Sequence, residues 1–214
     1  MSDIHHMTAA RPKLPAELPV IRVAGPCGDD DLFADGRIES CAFTGRARRV
    51  SFTRVCLRSV RFQAALPAAE MEDVQFDGCD LSNVDWSDAI LVRVVFRNCR
   101  MTGVNFSGAS LKDVVWENGA AEYANFRFAR LERADFTGCN CRSADFGQAA
   151  FSRVRFDRSN LQQAQFSGVP LCGMDFTSCG IDGLGARPED LRGAILSPEQ
   201  AVTAAQIIGV RIRF

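Results

Sequence analysis

The chain has 214 residues, with 25 Lys and Arg against 26 Asp and Glu, a formal charge of −1, and 16 Phe beside two Trp and one Tyr. That length suits one domain or two small ones, and the near-zero charge excludes both a generic basic nucleic-acid binder and an acidic disordered chain. Phe in such excess over Tyr marks aromatics selected for burial without a polar handle.

Residues 1–30 contain Pro12, Pro15, Pro19 and the adjacent His5 and His6, show no repeat, and read as a flexible N-terminal arm. From residue 31 large apolar residues recur every five positions. Phe33, Ile38 and Phe43 share one register, and Phe52, Leu57 and Phe62 a second. The junctions Phe43 to Phe52 and Phe62 to Met71 are nine residues long instead of five or ten. Bulges are therefore expected near 45–49, which is cationic, and near 63–70, which carries Pro67.

From Met71 to Ile181 the step of five runs without a slip, and 21 of its 23 positions are large and apolar. Two residues earlier in each unit stands a small or slim side chain, as at Val74, Cys79, Ala89 and Ala124. A period of five fits neither a helix nor a strand. It fits a solenoid that turns a corner every five residues, and a longer period gives the number of sides. Stepping by twenty, Phe76, Phe96, Trp116, Phe136, Phe156 and Phe176 are all aromatic, as are Trp86, Phe106, Phe126, Phe146 and Phe166. The series Leu81, Met101, Ala121, Cys141, Leu161, Ile181 has no aromatic, and Leu91, Leu111, Leu131, Phe151, Leu171 is mainly aliphatic. A twenty-residue coil with four sides follows, its coils stacked at about 4.8 Å so that like residues form a continuous core.

The repeat fades through Gly183-Leu184-Gly185 and closes by Leu196. Ser197-Pro198-Glu199-Gln200 reads as a capping box with Pro at the first helical position. It predicts a helix to about Ile208 that Gly209 stops, with Val202, Ala205 and Ile208 on one stripe, and then Val210, Ile212 and Phe214 alternating as in a short strand.

The units Ala124-Asn125-Phe126, Ala134-Asp135-Phe136, Ala144-Asp145-Phe146, Cys79-Asp80-Leu81 and Ser159-Asn160-Leu161 have the form A(D/N)LXX or A(D/N)FXX. In them the chain resembles the pentapeptide-repeat proteins. The resemblance implies an all-β solenoid, a right-handed quadrilateral β-helix over residues 31–196. It also implies a C-terminal module, 197–214, that joins two coils end to end as a homodimer through Val202, Ala205, Ile208, Val210 and Ile212. Members of the family bind DNA gyrase or topoisomerase IV, protect these type IIA topoisomerases from quinolones and other poisons, and have been read as mimics of duplex DNA. On that pattern the partner is a topoisomerase, with no direct contact to nucleic acid or membrane, and an antibiotic-resistance role. The enzyme-facing surface is the acidic set Asp77, Asp85, Asp88, Glu117, Asp135 and Asp145, with Leu66, Pro67 and Glu70 of the second bulge as a loop contact.

Charge limits the mimicry. A dimer rod of about seven coils per subunit spans on the order of 70 Å, a length over which B-DNA carries about 40 charges, whereas two chains at −1 each sum to −2. Only a patterned acidic stripe on one or two faces would serve. The rival is a structural or scaffolding coil with another protein partner; direct antibiotic binding is a third and weaker option, because a solid interior leaves no cavity.

No enzyme activity and no cofactor is expected. A catalytic site needs a positioned base, nucleophile or metal, and the two histidines sit together in the arm. Cys79, Cys99, Gly119, Cys139, Ser159 and Cys179 form a ladder in which Cys alternates with Gly and Ser, so the position calls for a small side chain. Without a CxxC pair no metal site is expected. Free thiols, no leader and no run of about 18 apolar residues point to the cytoplasm.

Overall fold

The computed structural model describes residues 8–23 and 25–211; His5, His6, Ile212 and Phe214 lie outside them. Every fifth residue turns the chain. Asp73, Arg93, Asp113, Arg133 and Arg153 do so at φ between 52° and 58°, the left-handed region that side chains other than Gly, Asn and Asp enter at a cost. The elements in chain order are β1 (Leu32–Glu39), β2 (Ala42–Arg46), β3 (Ser51–Arg58), β4 (Arg61–Ala65), β5 (Glu70–Asp77), β6 (Ile90–Arg97), β7 (Ser110–Glu117), β8 (Arg130–Thr137), β9 (Ala150–Asp157) and α1 (Ala201–Ile207).

Strands β1, β3, β5, β6, β7, β8 and β9 stack in that order as a seven-stranded sheet, with every neighbouring pair parallel. Seven strands set one above another make six turns. Each of these strands crosses a corner and so serves two sides of the coil. The other two sides pair through isolated parallel bridges such as Asp80↔Arg100 and Asp85↔Asn105. The molecule is a four-sided parallel β-solenoid, and its sides are named here by the inward residues Phe76, Leu81, Trp86 and Leu91. The Phe76 and Trp86 sides are opposite each other.

The four inward columns from Met71 to Ile181 are buried, apart from the half-buried Phe151. Rings stack along each aromatic column, as in Trp116–Phe136 at 4.2 Å and 2° and Phe126–Phe146 at 4.9 Å and 5°. Between the columns they meet edge to face: Phe126–Phe136 and Phe136–Phe146 are both 5.9 Å apart, at 87° and 88°. The ring quadrupole favours both arrangements, so two opposite aromatic sides fill the centre while the aliphatic sides close the remaining gaps.

The junctions correct the expectation of bulges. Phe33 pairs with Phe52 and Phe52 with Met71, each nineteen residues on, before the step becomes twenty at Met71↔Leu91. The first coils have therefore lost one residue rather than gained several. The loss falls on the Leu81 side, where Arg61 to Ala65 spans what Asp80 to Asp85 spans one coil later, and the shortened side runs straight as the pair β2–β4. It shifts the aromatics as well. Phe43 and Phe62 stack at 4.6 Å beneath Leu81, while Ala47 and Leu66 stand beneath Trp86. Leu66 and Pro67, expected in a protruding loop, are buried, and only Glu70 is exposed.

At the C-terminal end the reciprocal bonds of the expected capping box are present, but they close a turn over residues 197–200, and the helix itself starts only at Ala201. Ser197 N–H donates to Gln200 Oε1 at 2.9 Å, and Gln200 N–H donates to Ser197 Oγ at 3.4 Å. Gln200 Nε2 then donates to the carbonyls of Phe176 and Cys179, fixing the helix to the last coil. α1 ends before Gly209, whose φ of 87° turns the chain away. At the other end, residues 8–23 lie along the outside of the seven-stranded sheet, joined to it from Ala9–Asp135 to Ile21–Arg37. The segment expected to be free is thus held. No helix among the described residues is long and apolar enough to cross a membrane.

Phe126→Ala removes a ring that stacks within the Trp86 column and meets the Phe76 column edge to face, and is expected to cost about 3–5 kcal/mol in denaturant unfolding. Trp86 and Trp116 bury their indole N–H groups without a partner. Trp86→Phe, which restores the residue type of the rest of its column, is expected to stay within about 1 kcal/mol of the parent, because the loss of volume is offset by removal of an unsatisfied donor.

Candidate protein-interaction surface

On the Leu81 and Trp86 sides an Asp or Asn placed before an inward position folds back on its own backbone. Asp85 Oδ1 accepts from Ser87 N–H at 3.1 Å, Asn105 from Ser107 at 3.1 Å, Asn125 from Arg127 at 3.0 Å and Asp145 from Gly147 at 2.8 Å. These Asx turns are why Asp or Asn recurs at this place in the repeat. On the Trp86 side the same side chains also join coil to coil: Asn105 Nδ2 donates to Asp85 at 2.9 Å and Asn125 Nδ2 to Asn105 at 3.0 Å. A flat polar ladder results.

The six acidic residues do not share a face. Asp85, Asp88 and Asp145 belong to the Trp86 side, while Asp77, Glu117 and Asp135 belong to the opposite Phe76 side. Several are neutralised. Glu117 takes Arg97 at 2.9 Å and Arg11 of the N-terminal segment at 2.7 Å, Asp135 takes Arg155 at 3.2 Å, and Asp145 takes Arg127 at 3.3 Å. Burial works against ionisation of Glu117, but the hydrogen bonds from Arg11 and Arg97 outweigh it and hold its carboxyl below the usual range. Among the described residues Asp77, Asp85 and Asp88 have no ion pair, so the unpaired acid of the Trp86 side is concentrated at Asp85 and Asp88.

Two residues that the repeat pattern passes over stand out on the same side. Tyr123 and Phe128 occupy its two corners in one coil, at φ 57° and 60°, and are 64% and 59% exposed. Neighbouring coils place Gly103 and Ser143, and Gly108 and Gln148, at these corners; the glycines enter the left-handed region without cost, and none of the four presents a ring. Arg127 lies between the two aromatics, its guanidinium carbon 5.1 Å from the Phe128 ring centroid. Aromatics and Arg are the residue types that dominate protein interfaces. The signal in the sequence was Tyr123, the single tyrosine in a chain that buries its aromatics.

A third feature runs along the corner between the Leu91 and Phe76 sides. From β1 to β8 its residues alternate in charge coil by coil, Asp35, Arg54, Asp73, Arg93, Asp113, Arg133, before Arg153 ends the pattern. They close in pairs, with Arg93 Nε and Nη2 donating to Asp73 at 2.6 and 2.8 Å and Arg133 likewise to Asp113 at 2.7 and 2.7 Å. The arginine partners hold both carboxyls below the usual range against the opposing effect of burial, helped by backbone N–H groups of Lys13 and Ala10.

At the C-terminal end Thr203 is buried and Ile207 packs on the core. Of the stripe expected to mediate dimerisation, Val202 and Ala205 are half-buried and Ile208 and Val210 are exposed, next to exposed Ile195. The cysteines of the ladder are buried. Burial pushes the Cys139 thiol up to about 11 and raises Cys141 well above its ordinary value, so these behave as neutral apolar side chains. Among the described residues no three His, Cys, Asp or Glu side chains gather as a metal site would require.

A stack of four-sided coils with Asx-turn ladders defines a class, and two family models give it a name. One described as a pentapeptide repeat region matches residues 69–146, and one described as pentapeptide repeats in eight copies matches residues 139–177. The chain belongs to the pentapeptide-repeat family. Among solved structures it is similar to a trypsin-treated variant of QnrB1, a plasmid-mediated fluoroquinolone resistance protein, at 19% identity over 84% of this chain and 100% of that one, with a TM-score of 0.49. It is also similar to HetL, a pentapeptide repeat protein involved in heterocyst differentiation regulation in the cyanobacterium Nostoc, at 16% identity over 78% and 87% of the two chains, TM-score 0.26. No curated protein matches it by sequence.

Two predictions follow from corner chemistry. Asp113→Asn is expected to lower stability at pH 7 by about 1–3 kcal/mol through loss of charge-assisted bonds. Because the folded carboxyl titrates below the unfolded value near 3.9, its contribution is complete above about pH 4 and disappears as pH falls through the depressed value. The gap between variant and parent should close toward pH 2 in urea titrations. Phe128→Asn, by contrast, puts a residue that tolerates the left-handed region in place of one that does not, and melting curves should show it equal to or up to about 1 kcal/mol more stable than the parent.

Proposed function

We propose that the protein is a non-catalytic binding rod that contacts a partner protein through its Trp86 side, and that the partner is a type IIA DNA topoisomerase, DNA gyrase or topoisomerase IV, which it protects from a poisoning antibiotic. The observation that carries the protein-binding reading is the pair Tyr123 and Phe128, exposed around Arg127 and held in a backbone conformation that costs stability. A fold that keeps its other large rings inside gains nothing from these two unless something covers them. Asp85 and Asp88, on the same side and two coils away, supply the unpaired acid that a site adapted to DNA would accept. The pattern of the repeat, through its family resemblance, supplies the identity of the partner.

In this reading the acidic contact is partial. Asp85, Asp88 and Asp145 face the enzyme, while Asp77, Glu117 and Asp135 point the opposite way. Two rods join end to end through Ile208 and Val210, with Val202, Ala205 and Ile212 completing the contact. A second reading is a scaffolding coil with a different protein partner. The straight, buried course of Leu66 and Pro67 favours it, since no loop projects from 63–70 to make a second contact.

Gyrase supercoiling in the presence of a poison, with and without the purified protein, tests the first reading. Rescue is expected, and Tyr123→Ser with Phe128→Asn should weaken it by about tenfold or more, the loss of two interface anchors. Charge reversal at Asp85 and Asp88 should weaken it less and in a salt-dependent way. Neither rescue nor inhibition across several poisons would select the scaffold.

A further inference from the structure

The N-terminal segment sits in a track that is built to hold it. Lys13 N–H donates to Asp73 Oδ1 at 2.8 Å, Ala10 N–H to Asp113 Oδ1 at 3.1 Å, and Ala9 N–H to Asp135 Oδ2 at 3.2 Å. Arg11 reaches Glu117. Ala9 is buried between Val95 and Val115, two outward-facing valines of the sheet that are themselves 2% and 3% exposed. Outward valines on a solenoid face are an apolar patch, and here a segment of this chain covers them.

The spacing matches the rod. Asp73 and Asp113 are two coils apart, about 9.6 Å at ~4.8 Å per coil. Three residues of polyproline II helix rise about 9.3 Å, and three residues separate Ala10 from Lys13. Pro12 and Pro15 hold that conformation and leave the donating N–H groups in place. One backbone N–H therefore meets every second coil, at the coils where the corner residue is an acid.

The corner pairs include a control. Asp35–Arg54 repeats the bidentate geometry of the other two pairs, yet the Asp35 side chain is 53% exposed, against 9% for Asp73 and 8% for Asp113. Over that coil the segment has moved to a second anchor, where Pro19 and Ile21 pair with Arg37. That anchor requires Gly36, because a Cβ there would meet the Pro19 carbonyl oxygen at 2.8 Å. Residues 14–18 between the two anchors are half-buried or exposed. The segment thus consists of a fixed anchor, a tether and a latch, and the latch of residues 9–13 buries one alanine and holds on by backbone donors and one surface arginine.

We propose that this track is a recognition groove for an extended, proline-spaced, basic segment of a partner protein, and that residues 9–13 are its resident occupant in cis. Every contact the latch makes is available to another chain of the same chemistry: backbone N–H groups three residues apart, a small side chain between the valines, and an arginine for Glu117. Displacing the latch uncovers Val95 and Val115 together with Glu117 and Asp135, which keep Arg97 and Arg155 as partners, so the partner gains an apolar surface edged with acid on the side opposite Tyr123 and Phe128. The groove does not depend on the identity of the partner bound there.

A fluorescent peptide with the sequence of residues 8–16, titrated into the full chain by anisotropy, tests the groove without any topoisomerase. In the parent the tethered latch competes at an effective concentration of roughly millimolar. Ala10→Pro with Lys13→Pro in the chain removes two of the three backbone donors, those to Asp113 and Asp73, while leaving the coil untouched, which an unchanged melting curve would verify. That variant is expected to bind the peptide at least about tenfold more tightly than the parent, and a peptide carrying the same two prolines should not bind it. Adding Val115→Asp to the opened variant should abolish binding. Equal affinity for parent and opened variant, no binding to the opened variant, or equal binding of the two peptides would each overturn the proposal.

Discussion

The structure depends on one constraint: a chain of L-residues must turn a corner every five residues and arrive, twenty residues later, in hydrogen-bonding register with itself. Trp86 N–H reaches the Asn105 carbonyl, Phe106 the Asn125 carbonyl and Phe126 the Asp145 carbonyl, at 2.8, 2.7 and 2.7 Å. In-register parallel stacking places every side chain directly above its counterpart one coil before. Inside, this favours identical flat rings that stack. At the corners it demands residues that accept the left-handed region. Outside, it makes ladders, and the Asp and Asn positions turn into Asx turns that tie each coil to the next.

The inner half of this was readable because burial constrains it. A side chain inside a four-sided coil has one place to go, so period and residue size coincide and the columns stand out at once. The exterior was less legible for particular reasons. A junction of nine residues is equally five plus four or ten minus one, and the inward residue that decides between them is Ala47 in the first coil, too small to register as part of an apolar stripe. Leu66 carried the signal, four residues after Phe62. The groove for the N-terminal segment was invisible for another reason: its donors are backbone N–H groups, which leave no mark on side-chain pattern, although Asp35, Arg54, Asp73, Arg93, Asp113 and Arg133 alternate in plain view once the corner column is read. The six acids fall on two of the four sides, as the step of five already places them, and because those two sides face apart the set makes two surfaces.

Coil and N-terminal latch differ in what holds them. The coil closes through continuous burial, which is cooperative because every ring rests on two others. The latch rests on bonds from backbone N–H groups to carboxylates that arginines already satisfy. Removing it leaves no buried charge without a partner, since Arg93 and Arg133 keep their bidentate grip on Asp73 and Asp113. A segment that can leave without stranding a charge is one that a competitor can replace, whereas a segment whose removal orphans a buried ion is held by the full desolvation cost.

The same stacking rule accounts for the near-zero net charge. Like charges on adjacent coils would stand about 4.8 Å apart, a repulsion of roughly 1 kcal/mol in water and about 3 kcal/mol at a partly screened protein surface. A ladder of one sign along the rod would accumulate that cost at every rung. The chain avoids it in two ways: the corner beside β5 to β8 alternates Asp with Arg, and the Trp86 side inserts the amides Asn105 and Asn125 between Asp85 and Asp145. Both devices drive the total toward neutrality, so this coil does not carry the uniform charge of a duplex along a single ladder. Acid that is to be seen by a partner has to sit where the ladder is interrupted, as at Asp88, which is followed in its corner column by Gly108 and then by exposed Phe128. The Trp86 side therefore presents a local contrast of carboxylate and aromatic ring, set against a polar ladder that carries little charge of its own.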